Sequence, residues 1–263
     1  MVRYCLAIAA ERTGVLVHAV CFMSNHWHGV MTDPEGRLPE FFGRFHQLIA
    51  RAQNASLGRW ENLWSSEKTS AIPLLSDADV LDKMAYTLAN PTAAGLVRSP
   101  LEWPGVISRR IGQCDDVEMP DVFFDDEGEL EDEARLEFVR PAIFRELTDA
   151  ELDVKIGEAV AHLVRRARSE MESRGVRFLG REAVLRQPLT DVPRTRAPKR
   201  RLNPRVAGKS ITVRASAIRR LQEFTRAYRA AWLRWRADDR CVTFPAGTYA
   251  LRIHSGVRCA QAP

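Results

Sequence analysis

The stretch VLVHAVCFMSNHWHGVMT, residues 15–32, decides the reading of the chain. Its first half, 15–23, is β-branched and apolar, the composition of a buried strand. Ser24-Asn25 suits a two-residue turn, and residues 26–32 return as a second strand. Side chains at i and i+2 of a strand share a face, so His26 and His28 point the same way. Two imidazoles so placed can aim at one metal ion. The same spacing also suits two histidines on a half-exposed strand that bind nothing.

Residues 2–12 suit a short helix ahead of the hairpin, and Pro34-Glu35-Gly36 breaks the chain after it. Residues 38–56 repeat apolar side chains at helical spacing through Phe41, Phe42, Phe45, Leu48 and Ile49. Residues 63–69 read as a further strand. Ser76 caps another helix, with Asp77 and Asp79 in its favourable first turn. That helix is expected to end near residue 89, because Pro91 disfavours helical geometry at Asn90. Tyr86 and Asn90 are four apart and share one helix face. A tyrosine hydroxyl can attack phosphorus where a metal polarises the phosphate. The segment also suits a partly buried core tyrosine followed by a helix stop.

The chain has 263 residues, 45% hydrophobic and 28% charged. This excludes fibrous and wholly disordered classes and predicts one to two domains. No stretch approaches 18 apolar residues, so no transmembrane helix is expected. Glu11 and Arg12 interrupt the apolar N-terminus, which makes a poor signal peptide, and the expected compartment is the cytoplasm. Five cysteines, odd in number and without a CxxC pair, predict reduced and mostly buried thiols.

The net charge is +5, unevenly spread. Residues 115–137 hold twelve acidic residues against Arg135 alone, and residues 194–240 hold fifteen basic residues against three acidic ones. The expected organisation is therefore an α+β unit over 1–113, a solvated acidic linker over 114–137, and a basic, mainly helical unit over 138–263. Within the last unit, 148–174 and 215–236 read as helices, and 191–208 is proline-broken and basic. Residues 242–251 suggest a β-turn or short hairpin. Arg196, Lys199, Arg200, Arg201 and Arg205 form the densest cluster, suited to phosphate contacts that carry no sequence information. Tyr228, Trp232 and Trp235 recur at helical spacing and are expected to pack on the first unit. His18 reads as a satisfied core histidine, and His46, His162 and His254 have no evident partner. Trp60 and Trp64 suit core packing or stacking on unpaired bases.

Taken together, the two chemistry-bearing segments carry a resemblance. The strand leading into Met23-Ser24-Asn25-His26-Trp27-His28 and the segment YTLANPTAAGLV, residues 86–97, resemble the REP-associated tyrosine transposases of the single-tyrosine HUH superfamily. That family pairs a His-hydrophobic-His motif with a Tyr-x-x-x-Asn-Pro segment. Trp103-Pro104-Gly105 follows at the expected place, residues 27–54 also fit, and the resemblance covers residues 1 to about 110. It implies an HUH, ferredoxin-like antiparallel sheet with helices. The family fold opens with a strand before the first helix. Here Met1 leads almost directly into the helix, so that strand is expected to be missing, with a bare sheet edge in its place.

The resemblance implies that His26 and His28 bind a divalent cation, that Asn90 supplies a polar third ligand, and that Tyr86 is the nucleophile. Two imidazoles, an amide oxygen and open water positions suit Mg²⁺ or Mn²⁺ better than a closed zinc site. The implied activity is transposition through cleavage and strand transfer of single-stranded or hairpin DNA, with a 5′-phosphotyrosine intermediate. Lys83, three residues before Tyr86, could lower the phenol's pKa or simply be solvated. The implied setting is bacterial and nucleoid-associated, as monomer or homodimer. The alternative is an inactive, truncated descendant that binds DNA without cutting it.

Overall fold

The computed structural model describes residues 1–66, 69–123, 128–188, 191 and 205–261. Helix α1 spans Val2–Thr13 and closes on Gly14, whose φ of 69° is the left-handed geometry that glycine adopts without strain. Strands β1, Leu16–Phe22, and β2, Trp27–Thr32, pair antiparallel, and Met23 N–H donates to His26 O across the two-residue turn. The register jumps between Val17 and Ala19, so His18 is the extra residue of a bulge. The bulge keeps both Val17 and Val20 on the side of α1, together with Trp27 and Met31. Ala19 and Val30 belong to the core of the opposite face.

Helix α2, Leu38–Leu57, buries Phe41, Phe45, Leu48, Ile49 and Ala52 against α1. The Asp33 carboxylate accepts from the N–H groups of Arg37 and Leu38 and so caps its start. Helix α3, Asp77–Ala93, starts as expected, with Ser76 Oγ accepting from Asp79 N–H. It does not stop before Asn90, and Pro91 lies inside it. A proline deletes one helical N–H, but Ala89, Asn90, Pro91 and Thr92 are all buried here, and that packing holds the helical path. Residues 63–66 and 69 form no strand, and the Trp64 indole N–H is instead held by His46 O at 2.8 Å.

The edge of β1 away from β2 is not bare. Phe22 N–H donates to Val106 O, and Ser108 N–H and Val139 N–H donate to Val20 O and Val17 O. The Trp103 indole N–H reaches Phe22 O at 2.8 Å and pins this segment to the end of β1. A Cβ at Gly105 would lie 2.5 Å from Trp103 Nε1 and 2.8 Å from Phe22 O, so only glycine fits there.

The acidic stretch is not a solvated linker. It contains β3, Cys114–Glu118, and β4, Glu133–Glu137, paired antiparallel. Alternation turns Ala134 and Leu136 into the core beneath α1 and leaves Glu133, Arg135 and Glu137 outside. Asp116, Glu118, Glu133 and Glu137 thus stand on the solvent face, whereas Asp115 is half-buried opposite Leu136 on the side of α1 and pairs with Arg3, and Arg12 pairs with Glu131.

Helix α4, Asp149–Ser173, begins at a Thr148–Glu151 capping box. Its Leu152 and Ile156 pack into the cluster that holds Ala19, Val30 and Met84, so the first core continues past residue 138. A short α5, Arg181–Arg186, follows. Helix α6, Ile211–Arg236, starts four residues earlier than expected because Ser210 caps it. Strand β5, Thr243–Phe244, and β6, Arg258–Cys259, are joined through helix α7, Ala250–Ser255, and pair in parallel rather than as a hairpin. Tyr228, Trp232 and Trp235 pack with Val242 and Phe244 in a C-terminal cluster of their own rather than on the first unit.

The architecture is mixed α+β with small sheets. Among the described residues no helix is long and apolar enough to cross a membrane. Cys5 and Cys21 are buried, whereas Cys114 and Cys241 are exposed, so burial of the thiols is only partial.

Candidate functional site

The two-faced β1–β2 hairpin sets the site. Trp27 turns into an aromatic cluster, stacked on Phe22 at 5.5 Å and edge-on to Phe45 at 5.3 Å. Its indole N–H donates to His46 Nε2 at 3.2 Å, which gives His46 a partner that the linear sequence does not reveal. Burial pushes the His46 pKa down, consistent with a neutral ring accepting that bond. With Trp27 anchored on one side, its neighbour His28 turns to the other. His26 joins it, the two imidazoles meeting edge to face with centroids 4.9 Å apart.

Helix α3 packs across this histidine face and brings Tyr86 to it. The His28 and Tyr86 ring centroids are 5.4 Å apart at 82°. Tyr86 is 41% exposed, so its ring is packed while the side chain remains reachable from solvent. Lys83 Nζ stands 5.1 Å from the centre of the Tyr86 ring, within cation–π range. Asn90 lies one turn further along α3 and is buried, at 6% exposure, and its amide makes no hydrogen bond among the described residues. Arg205 is exposed, and Arg196, Lys199, Arg200 and Arg201 lie outside the described residues.

The donor set fits a divalent cation in its two imidazoles. His26 Nδ1 lies 2.7 Å from Asn25 Oδ1. Donation from Nδ1–H to that amide oxygen puts the ring's lone pair on Nε2, the usual arrangement of a metal-binding histidine with an oriented outer partner. The His26 and His28 centroid separation of 4.9 Å lets both rings reach one ion, and it is also the spacing of an ordinary edge-to-face contact. No carboxylate joins them: among the described residues no group of three His, Cys, Asp or Glu side chains is placed to hold a metal. Among the described residues a third protein donor would be an amide, a hydroxyl or a backbone carbonyl, and Asn90 is an uncommitted amide one turn beyond Tyr86 on α3.

Asn25 belongs to the sequence motif and to the turn, but the sequence alone assigns it no role, and its contact with His26 supplies one. The exposed arginines of α6, including Arg219, Arg220, Arg226 and Arg229, were also passed over in favour of the denser cluster upstream. None of these four has an ion pair among the described residues. His18 is a satisfied core histidine, as expected, with Nδ1 2.6 Å from Val139 O and Nε2 2.8 Å from Thr32 Oγ1. No family model, no curated protein and no solved structure matches the chain.

Proposed function

We propose that the protein is a metal-dependent transesterase of single-stranded or hairpin DNA, in the manner of the single-tyrosine HUH transposases, with Tyr86 as nucleophile. One observation carries the reading: a tyrosine contributed by one helix meets a pair of histidines from a distant hairpin, with ring centres 4.9 and 5.4 Å apart in succession. Ordinary core packing does not require two adjacent imidazoles beside a half-exposed phenol. An ion held by His26 and His28, with Asn90 as further donor, would be Mg²⁺ or Mn²⁺ and would polarise the phosphate and offset its developing charge.

In that reading Tyr86 Oη gives up its proton to solvent water and forms a bond to phosphorus. The bond from phosphorus to the 3′-oxygen breaks, and that oxygen leaves as a hydroxyl once protonated. The products are a 5′-phosphotyrosine and a free 3′ end. Trp27 and Asn25 fix where the imidazoles point. The flanking helices on a small sheet are compatible with an HUH-type arrangement.

The test mixes the protein with labelled hairpin DNA from sequence flanking its gene, in Mn²⁺, and looks for a covalent adduct on a denaturing gel. An adduct that vanishes with Tyr86→Phe and with chelator supports the reading. An adduct that persists in Tyr86→Phe, or its absence across all flanking palindromes with DNA binding retained, overturns it.

A further inference from the structure

On the far side of α3 from Tyr86, between the hairpin, α4 and the segment 99–111, lies a cavity of about 480 Å³. This is within the range of small-molecule sites, roughly 300–1,000 Å³. Its walls are aliphatic, including Met84 and Leu88 of α3, Ile107, Ile111, and Ile156 and Val160 of α4. The polar groups on its floor are already committed. His18 is held at both ring nitrogens, and Ser108 Oγ is bonded to the Val20 backbone. No aromatic ring other than His18 lines the space, so it offers no aromatic platform for a nucleobase.

The charged lining has the opposite character. Arg109, Arg110 and Arg165 are exposed and Arg168 is half-exposed. Arg168 Nε donates to Arg98 O at 2.9 Å, whereas Arg109, Arg110 and Arg165 have no hydrogen bond or ion pair among the described residues. One carboxylate, Asp153, faces them, with Oδ1 accepting from Ile111 N–H at 2.9 Å. The balance is four guanidinium groups against one carboxylate around an aliphatic hollow. Gly157, in the middle of α4, lines the same space, and a Cβ there would meet nothing within 4 Å. A glycine inside a helix destabilises it relative to alanine. No close contact requires this one, and its effect is to keep the cavity wide.

We propose that this cavity binds an amphipathic anion: an aliphatic body buried between α3 and α4, with a carboxylate, sulfate or phosphate head held by the arginines. Guanidinium forks bind such heads through paired hydrogen bonds, and burial of the chain supplies the non-directional part of the affinity. The inference does not depend on the reaction proposed for Tyr86.

The test titrates the full-length protein with decanoate by calorimetry and by displacement of 1-anilinonaphthalene-8-sulfonate. The expected result is saturable binding of one equivalent. Decanol, which has the same body without the charge, and the Arg109→Ala/Arg165→Ala variant should each bind roughly tenfold more weakly or worse. Decyl phosphate should compete, adenosine monophosphate should not, and Gly157→Leu, which fills the hollow, should abolish binding. Circular dichroism and thermal unfolding check that each variant folds, and if Gly157→Leu does not, the arginine variant decides. No saturable binding by the folded wild-type chain overturns the proposal. So does undiminished binding in the folded arginine or Gly157 variant, or displacement by the nucleotide in preference to decanoate.

Discussion

The edge of the His28 imidazole stands against the ring of Tyr86, centroids 5.4 Å apart at 82°. The contact joins a strand whose opposite face is locked by Trp27 to a helix whose buried side is locked by Met84 and Ala89, so neither ring is placed by local sequence alone. Tyr86→Phe keeps that ring contact and removes only the hydroxyl. We expect it to leave the melting temperature and the affinity for single-stranded DNA unchanged and to abolish the covalent adduct. A gel and a binding titration on the same preparation separate these effects.

The Asn25 side chain makes a finer prediction. Its amide oxygen lies 2.7 Å from His26 Nδ1 and holds the tautomer that presents Nε2. Asn25→Ala should weaken Mn²⁺ affinity by about 10–100-fold, the usual cost of losing an outer partner. Adduct yield should recover at high Mn²⁺, whereas His26→Ala or His28→Ala should not be rescued. Equal loss in all three variants at every metal concentration would remove Asn25 from this role.

Leu136 and Leu152 test how far the core extends. Leu136 lies in the acidic hairpin and is 1% exposed, and Leu152 lies in α4 and is 0% exposed. Leu→Ala at either site should cost about 2–5 kcal/mol in chemical unfolding. A solvated linker or an independent second domain would give almost nothing at Leu136, and at Leu152 no loss in the first unit. A fragment ending at residue 113 should consequently fail to fold, because it lacks β4 and α4.

His18 makes stability depend on pH. Burial holds its pKa below the ordinary histidine value, while Nδ1–H donates to Val139 O and Nε2 accepts from Thr32. The unfolded chain therefore takes up this proton first as pH falls. The contribution of the neutral ring is fully present above about pH 6.5 and is lost as pH drops from there toward the folded value, with a limiting slope of about 1.4 kcal/mol per pH unit. Unfolding titrations between neutral pH and pH 5 should show this fall, and His18→Gln should reduce it, leaving the part that His46, whose pKa burial also lowers, contributes in the same direction. An unchanged slope in the variant would assign the effect to other groups.

Much of the core was legible in the linear pattern. Residues 15–32 show a β-branched apolar run and a two-residue turn, and the Phe41, Phe45, Leu48 and Ile49 spacing marks one buried helix face. The failures have physical causes. The acidic run misleads because charge density was weighed without strand alternation: Ala134 and Leu136 sit at every second position among carboxylates and suffice to dock the hairpin. Pro91 misleads because tertiary burial of its neighbours outweighs a local preference. Trp232 and Trp235 do show the periodicity of a packed face, but periodicity does not say against what, and the partner is the short β5 and its surroundings. At the site, the shared face of His26 and His28 follows from strand geometry. Their meeting with Tyr86 follows only from tertiary packing, and sequence reasoning reached that grouping solely through resemblance.

The exposed arginines of α6 carry the last prediction. Arg219, Arg220, Arg226 and Arg229 project into solvent, with no ion pair among the described residues, from a helix whose apolar side packs on Phe244. Removing one exposed, unpaired cation should change folding stability by no more than about 0.5 kcal/mol. If single-stranded DNA lies along this face, each Arg→Ala change that deletes a phosphate contact should reduce the slope of log affinity against log salt by about 0.7. The loss should be the same for unrelated sequences, because phosphate contacts position the strand and do not read it. Fluorescence anisotropy over a salt series, for the wild type and the four single variants, measures both quantities. A slope unchanged in all four would move the DNA path off α6, while a loss confined to one sequence would mean that the helix reads bases.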